Sequence, residues 1–303
     1  MDPAKIVVVG GYNRDVSLFV PRLPAAGQTV LSVGRLDSAG GKGSNQAVQA
    51  ARCGTPTAMI AALGDDGAAD QALALWAAFK IAVGAVVRLP GQATGMAMIL
   101  VDAAGENLIV VDPGANALLA PEHVTAASGL VAGAKLVLAQ LETPVDATMS
   151  AFAMARAAGV DTLLNAAPAP EAIAPELLDL TDVLIVNEGE GRALSGETRP
   201  EAVGERLLGK VARAVVVTLG DRGAMLFERG AAPIGRRSPR VEVVDSTGAG
   251  DAFTGAFAAR WAATADARAA LAWGLAAGAL SCTKKGAAAS CADAASIAAL
   301  ARG

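Results

Sequence analysis

Residues 241–257 read VEVVDSTGAGDAFTGAF. The stretch predicts an apolar strand, a turn of small residues, and a helix that begins between Gly248 and Asp251. A helix start leaves its first backbone N–H groups without partners and carries positive partial charge, so it suits a phosphate. Glycines there remove side chains that would block one. Asp251 read by itself admits two roles: it caps the helix, or it faces a group being transferred.

Composition narrows the setting for that turn. The chain has 303 residues, 53% of them hydrophobic but only 3% aromatic, with 34 glycines, so the core is built from Ala, Val and Leu with tight backbone approaches. The longest uncharged run, residues 269–283, is 15 residues long. That is short of the roughly 20 apolar residues that cross a bilayer, and it predicts a buried helix. Residues 1–11, MDPAKIVVVGG, lack the long apolar region and cleavage site of a signal peptide and predict a first strand. A soluble, cytoplasmic chain without a membrane partner is expected. Acids and bases are interspersed around a net charge of −4, with no basic stripe for nucleic acid. The three cysteines, Cys53, Cys282 and Cys291, have no CxxC spacing and are expected to be reduced packing residues. A single histidine, His123, leaves no material for a histidine triad or metal cluster, and is expected to be an ordinary surface residue.

Short apolar runs recur at 6–9, 58–63, 136–141, 161–165, 182–187 and 214–220, with helical segments between most of them. Continuous apolar strands alternating with helices predict a parallel sheet covered on both faces, with ligands beyond the carboxyl ends of its strands. Residues 27–41 and 95–112 break the rhythm; both read as β-strand, the second as a hairpin around DAAGEN. They predict a small second sheet attached to the first. No linker separates independent domains, and the alanine-rich stretch 287–303 predicts a final surface helix.

Neither a P-loop nor a G-x-G-x-x-G motif occurs at 40–45 or 248–255, which excludes those two routes to a nucleotide. Three other groups remain. GGYNRD, 10–15, sets Asn13 and Asp15 two apart, so an extended chain turns both to one face and Arg14 to the other. An amide beside a carboxylate suits the vicinal hydroxyls of a sugar, although a polar loop after the first strand accounts for the residues equally well. SAGGKGSNQAVQAA, 38–51, offers close backbone approach and then Lys42 and Asn45 as polar arms at a helix start; a glycine turn with an Asn cap is the alternative. VNEGEGRAL, 186–194, puts Asn187 and Glu190 on one face of a first helical turn, able to hold a hydrated Mg²⁺ or simply to face solvent.

In order along the chain, GGKGSNQAVQAARCG, NEGE and VDSTGAGDAFTGAF resemble the signatures of the ribokinase-like (PfkB) family of carbohydrate kinases, with further similar stretches at 63–67, 106–121, 139–144, 165–170 and 217–223. The resemblance covers nearly the whole chain. It implies a Rossmann-like, doubly wound, mostly parallel sheet in a single α/β kinase domain over residues 1–303. A small β lid, from about 12–41 and 91–112, would pair into a homodimer. It also implies an ATP-dependent kinase acting on a sugar, with ribose expected and a nucleoside or another sugar of the same family as the alternative; a non-catalytic sensor is the reading from another class. Carried over residue by residue, Asp251 is the base and Gly248, Ala249 and Gly250 form an anion hole. Asn13, Asp15, Gly41, Lys42, Asn45 and Glu142 hold the sugar. Asn187 and Glu190 serve Mg²⁺ and phosphates, while Thr218, Gly220 and Gly223 lie beside the nucleotide. A monovalent-cation (K⁺) site falls at Asp245, Thr247, Ser281, Gly286 and Ser290. The chain departs from the family pattern at Tyr12 and Arg14, beside the sugar-binding Asn, and at Cys291, where a proline is common.

Overall fold

The computed structural model describes residues 5–169 and 172–302. Among the described residues, thirteen strands form two sheets. The strands are β1 (Ile6–Val9), β2 (Asn13–Phe19), β3 (Gly34–Gly40), β4 (Thr57–Leu63), β5 (Ala82–Arg88), β6 (Met96–Val101), β7 (Asn107–Asp112), β8 (Leu136–Ala139), β9 (Asp161–Asn165), β10 (Val183–Asn187), β11 (Ala214–Thr218), β12 (Ala224–Glu228) and β13 (Ile234–Arg236). The larger sheet has the order β13-β12-β11-β10-β9-β8-β1-β4-β5. Its pairs are parallel from β5 through β11, and β12 and β13 add an antiparallel hairpin at one edge. The chain leaves β1 towards β4 on one side and returns to β8 on the other, so the sheet reverses direction at β1, where open α/β sheets bind ligands.

Both faces are covered because the central strands bury apolar side chains on both sides. Ile6, Val8, Val183 and Ile185 enter one core with the helices Lys42–Arg52, Ala249–Thr264 and Ala267–Ser281. Val7, Val9, Leu184 and Val186 enter the opposite core with the helix Val145–Ala157. Gly255 sets the spacing of the first layer: a Cβ there would lie 2.5 Å from the Gln46 carbonyl and 2.7 Å from Gln49 Cβ, so the two long helices meet backbone to backbone.

The smaller sheet, β3-β2-β6-β7, joins β2 to β3 and β6 to β7 antiparallel and β2 to β6 in parallel. It follows β1 directly, so its first strand carries Asn13 and Asp15 away from the carboxyl end of the main sheet. The expected hairpin at 95–112 is present as β6 and β7. Residues 27–33 are not a strand, and β3 begins only at Gly34. No strand forms at 241–244 either. The amides of Val244 and Asp245 both donate to the Cys282 carbonyl at the end of a helix, which satisfies them without a strand neighbour and leaves Val243 and Val244 exposed. The expected C-terminal helix is broken into a short turn, Ala287–Ser290, and Ala294–Ala301, capped by Asp293. The run at 269–283 lies in the helix Ala267–Ser281 as far as Ser281, most of it buried, and the three cysteines are free. His123 is half-buried rather than a plain surface residue, and its Nδ1 accepts from the Ala120 amide.

Candidate active site

Two helix starts meet at the carboxyl ends of β1, β9 and β10. The first begins after Gly41, whose φ of 85° and close approach to Tyr12 require glycine; a Cβ would lie 2.7 Å from Tyr12 Cα. The second begins after Gly248, at φ 76°, packed against Ala287. In that second start the Ala249 amide donates to the Ser246 carbonyl. The amides of Gly250 and Asp251 have no acceptor among the described residues. A Cβ on Gly250 would meet open space, so the glycine leaves room in front of those donors.

Asp251 is buried between the two helices. Asn45 Nδ2 donates to its Oδ2 at 3.0 Å and Gln46 Nε2 to its Oδ1 at 2.9 Å. The sequence pointed to Asn45 but not to Gln46, because a glutamine inside an alanine-rich helix carries no spacing signal. Asn45 Oδ1 is buried without a partner, an acceptor aimed where a hydroxyl could donate. Asn13 is held by Asn116, also missed in the sequence: Asn116 Nδ2 donates to Asn13 Oδ1 at 2.8 Å and to the Tyr12 carbonyl at 2.9 Å. Asn13 thus keeps its Nδ2 free as a donor. Tyr12 itself is turned into the core, its ring edge-on to Trp76 at 6.1 Å, and burial raises its hydroxyl pKa to about 12. A ring so buried is not available to stack on a ligand base. Arg14 lies on the opposite side of β2 as expected, where its Nε donates to Asp37 at 3.0 Å.

Five charges converge here. Burial pushes Asp15 up to about 6, helped by the Asp251 charge, and Glu142 up to about 7 despite the opposing Lys42 ammonium and the Lys42 amide, which donates to Glu142 Oε2 at 2.6 Å. Burial alone would lower Lys42, but the carboxylates of Asp251, Glu142, Glu190 and Asp15 outweigh it and hold the ammonium protonated. Glu190 is raised by burial.

Asn187 caps the helix Glu188–Ser195 and exchanges bonds with Glu190: Glu190 N to Asn187 Oδ1 at 2.8 Å, Asn187 N to Glu190 Oε2 at 2.8 Å and Asn187 Nδ2 to Glu190 Oε1 at 2.9 Å. Both line a cleft of about 170 Å³ together with Lys42, Thr218, Gly248, Ala249, Gly250 and Asp251. Gly220 and Gly223 stand outside that lining and shape the turn after β11, closed by the Leu219 amide on the Gly223 carbonyl at 2.8 Å. A larger cavity, about 490 Å³, lies against the helices Pro175–Asp179 and Glu188–Ser195 and is lined mostly by apolar residues, with Asp179 and Lys210 among them.

Beneath the Gly248 turn, Asp245 Oδ1 accepts from the Thr247 amide and Oδ2 from the Gly286 amide, each at 2.9 Å. Burial pushes the Asp245 carboxyl up, but these N–H donors outweigh it and hold it below the usual range. Ser281 and Ser290 donate to the Gly278 and Ala287 carbonyls, both at 2.8 Å, which leaves their oxygen lone pairs free.

Residues 3–295 match the family model described as pfkB family carbohydrate kinase. The chain is 38% identical over 263 residues to a ribokinase of Staphylococcus aureus, covering 84% of this chain and 86% of that protein. It is 35% identical over 264 residues to a ribokinase of Mus musculus, covering 85% and 81%. Its fold superimposes on the Arabidopsis thaliana ribokinase complexed with ribose and ATP with a TM-score of 0.91, 31% identity and all of both chains covered. The family model spans nearly the whole chain, and the chain belongs to the pfkB family of carbohydrate kinases.

Proposed function

We propose that this protein transfers the γ-phosphoryl group of ATP to the terminal hydroxyl of ribose, with Asp251 as the base. The observation that carries the reading is the environment of Asp251: a buried carboxylate at a helix start with two unpaired amides, facing the unpartnered acceptor Asn45 Oδ1 and the carboxylates of Asp15 and Glu142. Such a surface suits a polyhydroxylated neutral ligand. Asn13 Nδ2 donates, while Asn45 Oδ1, Asp15 and Glu142 accept.

A sugar hydroxyl is too weak an acid for a carboxylate to deprotonate in the ground state. Asp251 therefore orients the hydroxyl and takes its proton late, as the oxygen bonds to phosphorus. The Gly250 and Asp251 amides, with Gly248 and Ala249 shaping the turn, receive charge on the transferring group, and Lys42 adds a fixed positive charge from the sugar side. Asn187 and Glu190 fit a Mg²⁺ held through water, since each Glu190 oxygen keeps a lone pair beyond its capping bond and the cleft offers one carboxylate beside it rather than a full cage. When bound, the metal would neutralise phosphate charge. Thr218 lines the nucleotide side, with Gly220 and Gly223 shaping the turn behind it. The chain acts as one kinase domain over 1–303, and the smaller sheet serves as a lid that excludes water from the phosphoryl group.

Ribose is favoured over fructose 6-phosphate because a substrate phosphate would face Asp15 and Glu142, while Arg14 is tied to Asp37 on the other side of β2. It is favoured over adenosine because Tyr12 is buried and offers no ring to a base. Steady-state kinetics on the three acceptors test the assignment, with ribose expected to give the highest kcat/KM; a nucleoside outperforming ribose would overturn it. In the same assay Asp251→Asn should lower kcat by about 10² to 10⁴ with little change in KM. A kcat within a few-fold of the parent would make Asp251 a helix cap only.

Potassium at Asp245, Thr247, Ser281, Gly286 and Ser290 is part of this reading, supported by the carboxylate held ionised under the Gly248 turn. Activity should be higher in potassium than in a large organic cation at matched ionic strength, and equal rates would remove the site.

A further inference from the structure

Beside Asp251 lies a row of side-chain amides that runs from Asn165, in the lining of the cleft, to Gln46 and Gln140 beneath it. Gln46 donates from Nε2 to Asp251 Oδ1 and to Asn165 Oδ1, each at 2.9 Å. Gln140 Nε2 donates to Gln46 Oε1 at 2.7 Å, and Asn165 Nδ2 donates to the Ile185 carbonyl at 3.3 Å. Gln46 and Gln140 are fully buried. A backbone carbonyl only accepts, so the Ile185 end forces Asn165 to turn its oxygen towards Gln46. Gln140 fixes the Gln46 oxygen from the other side. Gln46 has no choice but to present its NH₂ group to Asp251, and both of its amide hydrogens and its oxygen are engaged.

We propose that Gln46 is a positioning residue for the phosphoryl transfer, held in its donor orientation by Gln140 and Asn165 so that Asp251 is locked as a proton acceptor facing the sugar. This rests on Asp251 being the base. A carboxylate bonded at Oδ1 by Gln46 and at Oδ2 by Asn45 cannot rotate about its last torsion, and the lone pairs it has left face the cleft. The relay side is already donating, so a proton taken from the sugar hydroxyl can settle only on that outward side. A glutamine placed only for packing would not need its amide direction set from two independent partners.

The test is a kinetic cycle on the whole enzyme with ribose, ATP and Mg²⁺. Gln46→Glu keeps the shape and turns a donor into an acceptor; Gln46→Met keeps the length and removes both. Each should lower kcat roughly 10- to 100-fold while KM for ribose and for ATP stays within about threefold. In an Asp251→Ala background the same changes should lower the residual rate by no more than about twofold, because the relay then has nothing to hold. Parental kcat in Gln46→Met, an effect confined to KM, or an equal loss in the Asp251→Ala background would each overturn the proposal. If the Gln46 variants fail to fold, Gln140→Met decides by the same two measurements, since it removes the donor on the Gln46 oxygen and leaves the amide held by Asn165 alone. Parental kcat in Gln46→Met beside an inactive Asp251→Asn sinks the relay alone, whereas an active Asp251→Asn sinks the base assignment beneath it.

Discussion

Glu142 and Asp15 sit beside Lys42 and Asp251 with their carboxyls raised to about 7 and about 6, chiefly by burial. In the unfolded chain a glutamate releases its proton near 4.3. Between that value and about 7 the folded protein holds a proton the unfolded chain has lost, so stability falls as pH rises across this window. Sugar binding runs the other way, because the ionised carboxylate is the better acceptor for hydroxyls. The unliganded protein should therefore melt lower at pH 8 than at pH 5.5, while kcat/KM for ribose should fall as pH drops below 7. Glu142→Gln should flatten both profiles at a cost in KM. Profiles unchanged by that substitution would show that Glu142 is not the titrating group.

Helix starts, rather than single residues, organise the reacting centre, and two glycines on one helix separate its chemistry from its packing. Gly250 fronts open space at the cleft, and Gly255 presses on the backbone of the helix Lys42–Arg52. Gly250→Ala should leave stability unchanged or raise it by up to about 1 kcal/mol through helix propensity, while reducing kcat/KM for ATP. Gly255→Ala should destabilise by about 1–3 kcal/mol as the two helices are forced apart. Urea denaturation with parallel kinetics distinguishes the two. A stable Gly255→Ala protein would mean that the helices can shift without cost. The same helix pairing explains why Gln46 and Asp251, more than 200 residues apart in sequence, share a hydrogen bond of 2.9 Å.

At the scale of the molecule, the smaller sheet leaves a broad apolar surface uncovered. Leu108, Ile109, Val110 and Val111 on β7 are all exposed, as are Leu31, Val33 and Leu36 at the other edge. Apolar side chains on both faces of one strand are unfavourable in water unless another surface covers them. A second copy of the chain, pairing lid to lid, is the occupant we propose. Light scattering after size exclusion should give a dimer. Ile109→Asp with Val110→Lys should yield monomers that keep their fold and lose lid closure, read as a higher KM for ribose. A wild-type monomer at micromolar concentration would exclude the arrangement.

Strand and helix alternation, the hairpin at 95–112 and the three polar constellations were legible in the sequence because each is a pattern local to a short stretch of chain. So was the helix start at Gly248, since glycine, glycine and aspartate at that spacing have few other uses. The false strand at 241–244 arose from the same local logic: its apolar residues satisfy the pattern, but the Cys282 carbonyl takes its amides. β5, β12 and β13 lay outside the recurrent apolar runs, their amides paired by strand neighbours rather than announced by composition. Gln46, Gln140, Asn165 and Asn116 were invisible for a related reason: an amide side chain acquires direction only from partners that folding brings beside it. The sequence by itself determined which segments could be strands, helices and phosphate-facing turns, because backbone geometry and apolar periodicity act over short range. Tertiary structure alone decided which amide donates to Asp251 and which carboxyls are raised, because hydrogen-bond direction and desolvation depend on neighbours that are remote in the chain.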